Sequence, residues 1–264
     1  MSAWILALGA LVVLCAAFAV VYGIARWLNN YGVVDIAWSY AFAALAVGYA
    51  LLGSGWPERR ALIAAMVTVW SLRLGTHLLV RVASKHPTED GRYRQLRADW
   101  AGHFDLKMAG FFQLQAASVV LLGLPVLAAA SNPAAALAPL EWAGAAVWLL
   151  AISGEALADA QLAAFRRDPA RAGQVCDAGL WRYSRHPNYF FEWLIWVGYF
   201  LFGCASPWGW VGIVSPASIL FLLLRVTGIP ATEEQSLRSK GEAYRSYQRR
   251  TSAFVPLPPR THTR

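Results

Sequence analysis

The run Gly179-Leu-Trp-Arg-Tyr-Ser-Arg-His-Pro-Asn-Tyr-Phe-Phe-Glu192 sets Arg182, Arg185, His186, Asn188, Tyr189 and Glu192 at the mouth of a strongly apolar stretch. Charges and amides at such a border are costly unless something binds them, so the run is the expected ligand site. Other ionisable groups fall inside apolar runs: Asp35, Arg73, His77, Glu155, Asp159 and Arg225. Each costs about 2.5 to 3.5 kcal/mol at the centre of a membrane helix on insertion scales, which predicts that they pair or line a polar cavity.

Spacing groups these residues further. Glu155 and Asp159 lie four apart and share a helix face, with Arg166 near the same face. Acid, acid and then Arg suits a ligand that offers hydroxyls or amides first and phosphate further out; the plainer reading is a capped helix end with solvated charges. Arg73 and His77 form another i, i+4 pair beside Trp70. An Arg there can fork onto phosphate or carboxylate, or stack on an aromatic plane.

Familiar chemistries are absent from the motifs. There is no G-x-G-x-x-G after a strand and no G-x-x-x-x-G-K-S/T, so a nucleotide would be held by helix ends and side chains. No G-x-S-x-G or H-E-x-x-H is present, which argues against a serine hydrolase or zinc protease. Cys15, Cys176 and Cys204 are odd in number and scattered, so neither a disulfide framework nor, with the five histidines, a metal site is expected.

The elements that must position these residues follow from composition. With 58% hydrophobic and 14% charged residues, the chain is too apolar for a soluble domain and reads as an all-α, multi-pass membrane protein. Seven spans are expected near 3–25, 33–53, 60–80, 108–130, 138–160, 188–204 and 208–230, forming a single bundle. Basic residues alternate between loops: Arg26 in the first, six from Arg81 to Lys107 in the third, five from Arg166 to Arg185 in the fifth, and seven after the last span. Only Arg59 and Arg60 run against this pattern, which puts the N-terminus outside and the C-terminus in the cytoplasm. The first span lacks a basic leader and a polar mature domain, so it is expected to be a retained helix. The net charge of +8 follows this topology, and nucleic acid is not an expected partner. A polar cytoplasmic helix is expected over 231–250, capped by Thr232, with a disordered tail over 256–264.

Arg185-His-Pro-Asn-Tyr-Phe-Phe-Glu192, together with Asp35-Ile-Ala-Trp38, Trp70-Ser-Leu-Arg73, Gly154-Glu155 through Asp159 and Arg166, and the tail Tyr247-Gln-Arg-Arg-Thr-Ser-Ala-Phe-Val-Pro256, resembles the membrane steroid 5-alpha-reductase family, in its bacterial branch. The likeness spans about 30 to 259. It implies a seven-helix enzyme of the bacterial inner membrane that takes NADPH from the cytoplasmic side and reduces a 3-oxo-4-ene steroid or similar enone lipid, as a monomer. It further implies that Asp159, Arg166, Asn188 and Glu192 hold the nucleotide, with Arg73, Glu155, Tyr183, Arg185, His186 and Arg225 assigned to the same cofactor. Animal members have a glutamate and a tyrosine near the substrate carbonyl where this chain has Asp35 and Trp70, and an asparagine where it has Glu155. Asp35, if protonated, or Trp70, through its indole N–H, is therefore the expected catalytic donor to the carbonyl oxygen.

Two other readings compete. A similar R-H-P-x-Y run, and a tail with Glu233-Glu234, Gly241, Tyr244 and Tyr247, occur in S-adenosylmethionine-dependent membrane methyltransferases acting on isoprenylcysteine or phospholipid. A transporter would also carry intramembrane charges, but no inverted repeat or pair of broken helices is seen.

Overall fold

A backbone in lipid has no water to bond, so long apolar runs fold as helices that satisfy their own amides. The computed structural model describes residues 1–260. Its helices are α1 (Ala3–Leu28), α2 (Val33–Leu52), α3 (Pro57–Lys85), α4 (Gly91–Asp99), α5 (Phe104–Leu122), α6 (Leu124–Ser131), α7 (Pro139–Arg167), α8 (Pro187–Cys204), α9 (Val214–Phe221), α10 (Ile229–Lys240) and α11 (Glu242–Arg250). A π-helical turn over Leu222–Val226 follows α9. Among the described residues the only strand-like pairing is a bridge between Ser184 and Ser252.

Among the described residues, five stretches are long and apolar enough to cross a membrane, α1, α2, α3, α7 and the run Gly209–Lys240, and the pair Ala101–Leu122 and Leu124–Ser131, bent by 41°, makes a sixth if it counts as one span. The 18-residue α8 is not among them, because Asn188 and Glu192 occupy its first turns. Length and apolarity thus give five or six of the seven expected spans. Only 17% of the apolar window of α1 is buried, and Ile5, Leu8, Val12 and Val13 are exposed. Such a helix is stable where lipid tails replace water, because they are as apolar as its side chains.

The chain forms two compact units, Met1–Glu141 with Phe202–Val214, and Trp142–Leu201 with Ser215–Arg264. In the first, α2 packs along α3: Ser71 Oγ donates to the Ser39 carbonyl at 2.5 Å and accepts the Ala43 N–H at 3.2 Å. The two arginines that break the loop-charge pattern are consumed internally. Arg59, 1% exposed, pairs with Glu141 at 2.5 Å and donates to the carbonyls of Asn132, Ala134 and Ala136. Arg60 donates to the Gly53 carbonyl at 2.5 Å. A buried charge needs such partners, so structure rather than topology accounts for this pair.

In the second unit α7 and α8 approach closely at Gly154, where a Cβ would lie 2.5 Å from the Phe191 ring. The linker between them is pinned to α7: the Trp181 indole donates to the Ala158 carbonyl at 3.0 Å, and Gln161 accepts the Leu180 N–H at 2.9 Å. The polar helix expected over 231–250 is two helices, because Gly241 adopts φ 54°, a left-handed backbone that suits glycine. Thr232 is not its cap either. With Pro230 in the first turn the helix starts earlier, and Thr232 donates from within it to the Gly228 carbonyl at 3.0 Å. The described part of the tail expected to be disordered, 256–260, is tethered: Leu257 N–H donates to the Tyr183 carbonyl at 3.0 Å and Arg260 N–H to the Arg250 carbonyl at 2.9 Å. Residues 261–264 lie outside the described residues.

Candidate functional site

Helical spacing in α7 puts Glu155 and Asp159 one turn apart, and α8 brings Asn188 and Glu192 into the same unit. Asn188 joins the two helices by donating its amide to Asp159 Oδ1 at 3.4 Å, while its Oδ1 accepts the Tyr189 N–H at 3.1 Å. Glu192 accepts the Trp196 indole N–H at 2.9 Å. Glu155 is buried and Asp159 half-buried. The result is an acceptor-rich patch with one amide, set in otherwise apolar helices. Such a patch suits hydroxyl and amide hydrogens, which a carboxylate accepts well.

Arg185 and His186 belong to a different cluster. Arg185 donates from Nε to Glu233 at 2.6 Å and from Nη1 to the carbonyls of Gln248 at 3.0 Å and Thr251 at 2.6 Å. His186 meets the same Glu233 oxygen at 3.3 Å and stacks on Tyr189, with ring centroids 5.4 Å apart. Around them, Ser184 Oγ donates to the Phe254 carbonyl at 2.8 Å, and the Tyr247 hydroxyl donates to the carbonyls of Trp181 and Ser184. Burial and the nearby charge of Glu233 push the Tyr244 phenol up to about 12. The arginine and histidine expected to touch cofactor therefore clamp the tail against the linker, and fix Asn188 two residues on.

The remaining assignments in this unit are scattered. Tyr183 is exposed, and its carbonyl rather than its ring holds the tail. Arg225 is exposed in the π-helical turn. Arg166 is exposed at the end of α7, at the rim of a cavity. Local spacing links neither Glu233 to Arg185, 48 residues away, nor Tyr247 to Trp181, 66 residues away, so the sequence gives no sign of this clamp.

Asp35, Trp70 and Arg73 lie in the first unit. Asp35, in the first turn of α2, accepts from the Tyr93 hydroxyl at 2.7 Å on Oδ1 and from Arg92 at 2.7 Å on Oδ2, with Arg81 at 3.7 Å. Both Asp35 oxygens are thus engaged by side chains of α3 and α4. Burial and the Asp35 charge hold the Tyr93 phenol well above its ordinary value. Trp70 is wholly buried in α3, edge-to-face with Phe42 at 5.4 Å. Arg73 is half-buried on the same helix.

The chain belongs to the DUF1295 family, described as proteins of unknown function, which matches residues 21–251. It is similar to an uncharacterized protein of Schizosaccharomyces pombe, 25% identical over 273 aligned positions that cover 90% of this chain and 76% of the yeast protein. No solved structure matches it.

Proposed function

We propose that this member of the DUF1295 family is an NADPH-dependent membrane oxidoreductase that reduces the conjugated double bond of a 3-oxo-4-ene steroid or similar enone lipid. Its seven spans take α8 as the sixth, with the N-terminus outside and the C-terminus in the cytoplasm of a bacterial inner membrane. The observation that supports this reading is the hydrogen bond from Asn188 to Asp159, which gathers acceptors of α7 and α8 where unpartnered charge is expensive. The resemblance of the same residues to membrane steroid reductases supplies the reaction class.

The second unit offers groups that fit a phosphorylated dinucleotide. Asp159 and Glu192 accept hydrogens from ribose hydroxyls, Asn188 engages an amide, and Arg166 meets phosphate. Bound NADPH supplies the hydride. Arg185 and His186 act as positioning residues, because they hold Glu233 and the tail and so set where α8 begins. In the first unit, Trp70 and Asp35 remain the assigned donors to the substrate carbonyl on the strength of the resemblance alone.

The test follows NADPH oxidation by the purified protein in detergent with progesterone or testosterone, with the product weighed by mass spectrometry. A gain of two hydrogens is expected. Calorimetry with NADPH and with S-adenosylmethionine runs beside it; tight adenosylmethionine binding without NADPH binding overturns the reductase reading in favour of a methyltransferase.

A further inference from the structure

One turn beyond Glu192 in α8, Trp196 reaches back to it: the indole N–H donates to Glu192 Oε1 at 2.9 Å. That direction follows from the helix, whose side chains lean toward its N-terminus. Trp196 is only 1% exposed, so the donor is held away from water.

The indole is itself braced. Its ring stands edge-to-face on Tyr199, with centroids 5.7 Å apart, and the Tyr199 hydroxyl accepts the Trp148 indole N–H of α7 at 3.1 Å. Trp148, Trp196 and Tyr199 are all buried. The two helices also approach closely before and after Trp196 along α8. At Gly154 of α7 a Cβ would lie 2.5 Å from the Phe191 ring, and at Gly198 one would lie 2.9 Å from Trp148 Cβ and 3.0 Å from the Gly144 carbonyl oxygen. Helices packed this tightly cannot slide or turn past each other without a clash, so Trp196 sits in a rigid frame.

Resting on the reading of Glu192 as a cofactor ligand, we propose that Trp196 is a positioning residue: it fixes the direction of the Glu192 carboxyl group, so that the α7–α8 patch meets its cofactor preformed. A glutamate side chain turns about several bonds, and ordering it at the moment of binding opposes binding. The bond from Trp196 moves that ordering into folding. An indole suits the task because it donates a single hydrogen and carries no charge, so it directs the carboxyl group without neutralising it, whereas an arginine there would neutralise it.

A double-mutant cycle on the full chain in detergent, read by calorimetry with NADPH, separates positioning from packing. Trp196→Phe keeps a ring against Tyr199 and removes the N–H. It should weaken NADPH binding about tenfold, the loss expected for one hydrogen bond to a carboxylate. In a Glu192→Ala background the same substitution should change the affinity by less than about twofold, because no carboxyl group is left to direct. Equal losses in the two backgrounds, or unchanged affinity in Trp196→Phe alone, overturn the role of Trp196 and leave the reductase reading in place. Trp196→Tyr, which also lacks the indole N–H, enters the cycle if Trp196→Phe does not fold. Where the unsubstituted chain binds S-adenosylmethionine and not NADPH, the reductase reading falls, and the same cycle with S-adenosylmethionine decides for or against Trp196. Binding of neither removes the cofactor site and the role of Trp196 with it.

Discussion

Arg185 and Glu233, 48 residues apart, form a 2.6 Å ion pair with side chains only 10% and 17% exposed. The same glutamate also meets His186 and accepts the Gln248 amide at 2.9 Å. Within the run Gly179–Glu192, Arg185 and His186 thus clasp the linker to α10 and the tail.

Removing one side of a largely buried pair leaves the other charge stranded. Arg185→Ala should destabilise the second unit by about 3 kcal/mol, read as a lower melting temperature in detergent and faster proteolysis of the tail. Arg185→Lys should recover little, because a point charge cannot serve Glu233 and two carbonyls together. In a double-mutant cycle Glu233→Ala should add little to Arg185→Ala; fully additive losses would show that the two residues act independently.

Asp159→Ala and Asn188→Ala should each weaken NADPH binding tenfold or more while the melting temperature moves by only a few degrees. Calorimetry on the purified variants measures the first, and a thermal scan the second. Unchanged NADPH affinity in both variants would remove the α7–α8 patch from the cofactor site.

Asp35→Asn separates two roles for one carboxylate. As the acceptor that ties α2 to Arg92 and Tyr93, it should contribute about 1.5 to 3 kcal/mol, the range for hydrogen bonds to a charged group. Hydrogen exchange over α4 should then accelerate. Turnover lost with α4 protection intact would return Asp35 to the substrate carbonyl.

Acid should loosen the same region through Asp90, which caps α4 by accepting the Arg92 N–H at 3.0 Å. Burial pushes its carboxyl up, but the Arg92 N–H, the Arg92 guanidinium and Arg81 outweigh this and bring it below the ordinary 3.8. Because the folded value is the lower one, the unfolded chain takes up the proton first. The stabilisation is therefore complete above about pH 4 and is lost as pH falls through the folded value. A melting series from pH 6 to pH 3 should show α4 protection falling at the acid end, and Asp90→Asn should flatten that dependence.

The sequence by itself determined the apolar solvent and the helical character of the long spans. Runs of apolar residues can hide their amides only as helices in lipid, so the starts of α1, α2 and α8 lie within two residues of where apolarity places them. It also marked Asp159, Asn188 and Glu192 as expensive, because a charge or amide in an apolar span must be satisfied by something. The tertiary structure decided which partner satisfies each one. Arg59 reads as a topology violation until Glu141, 82 residues on, closes around it. Arg185 and Asp35 stand in the sequence as charges without named partners, and the fold sets Arg185 against Glu233 and the tail carbonyls and Asp35 against Arg92 and Tyr93. Periodicity reaches only a few residues along a helix, whereas these hydrogen bonds join positions 48 to 82 apart, where only the folded chain sets the distance.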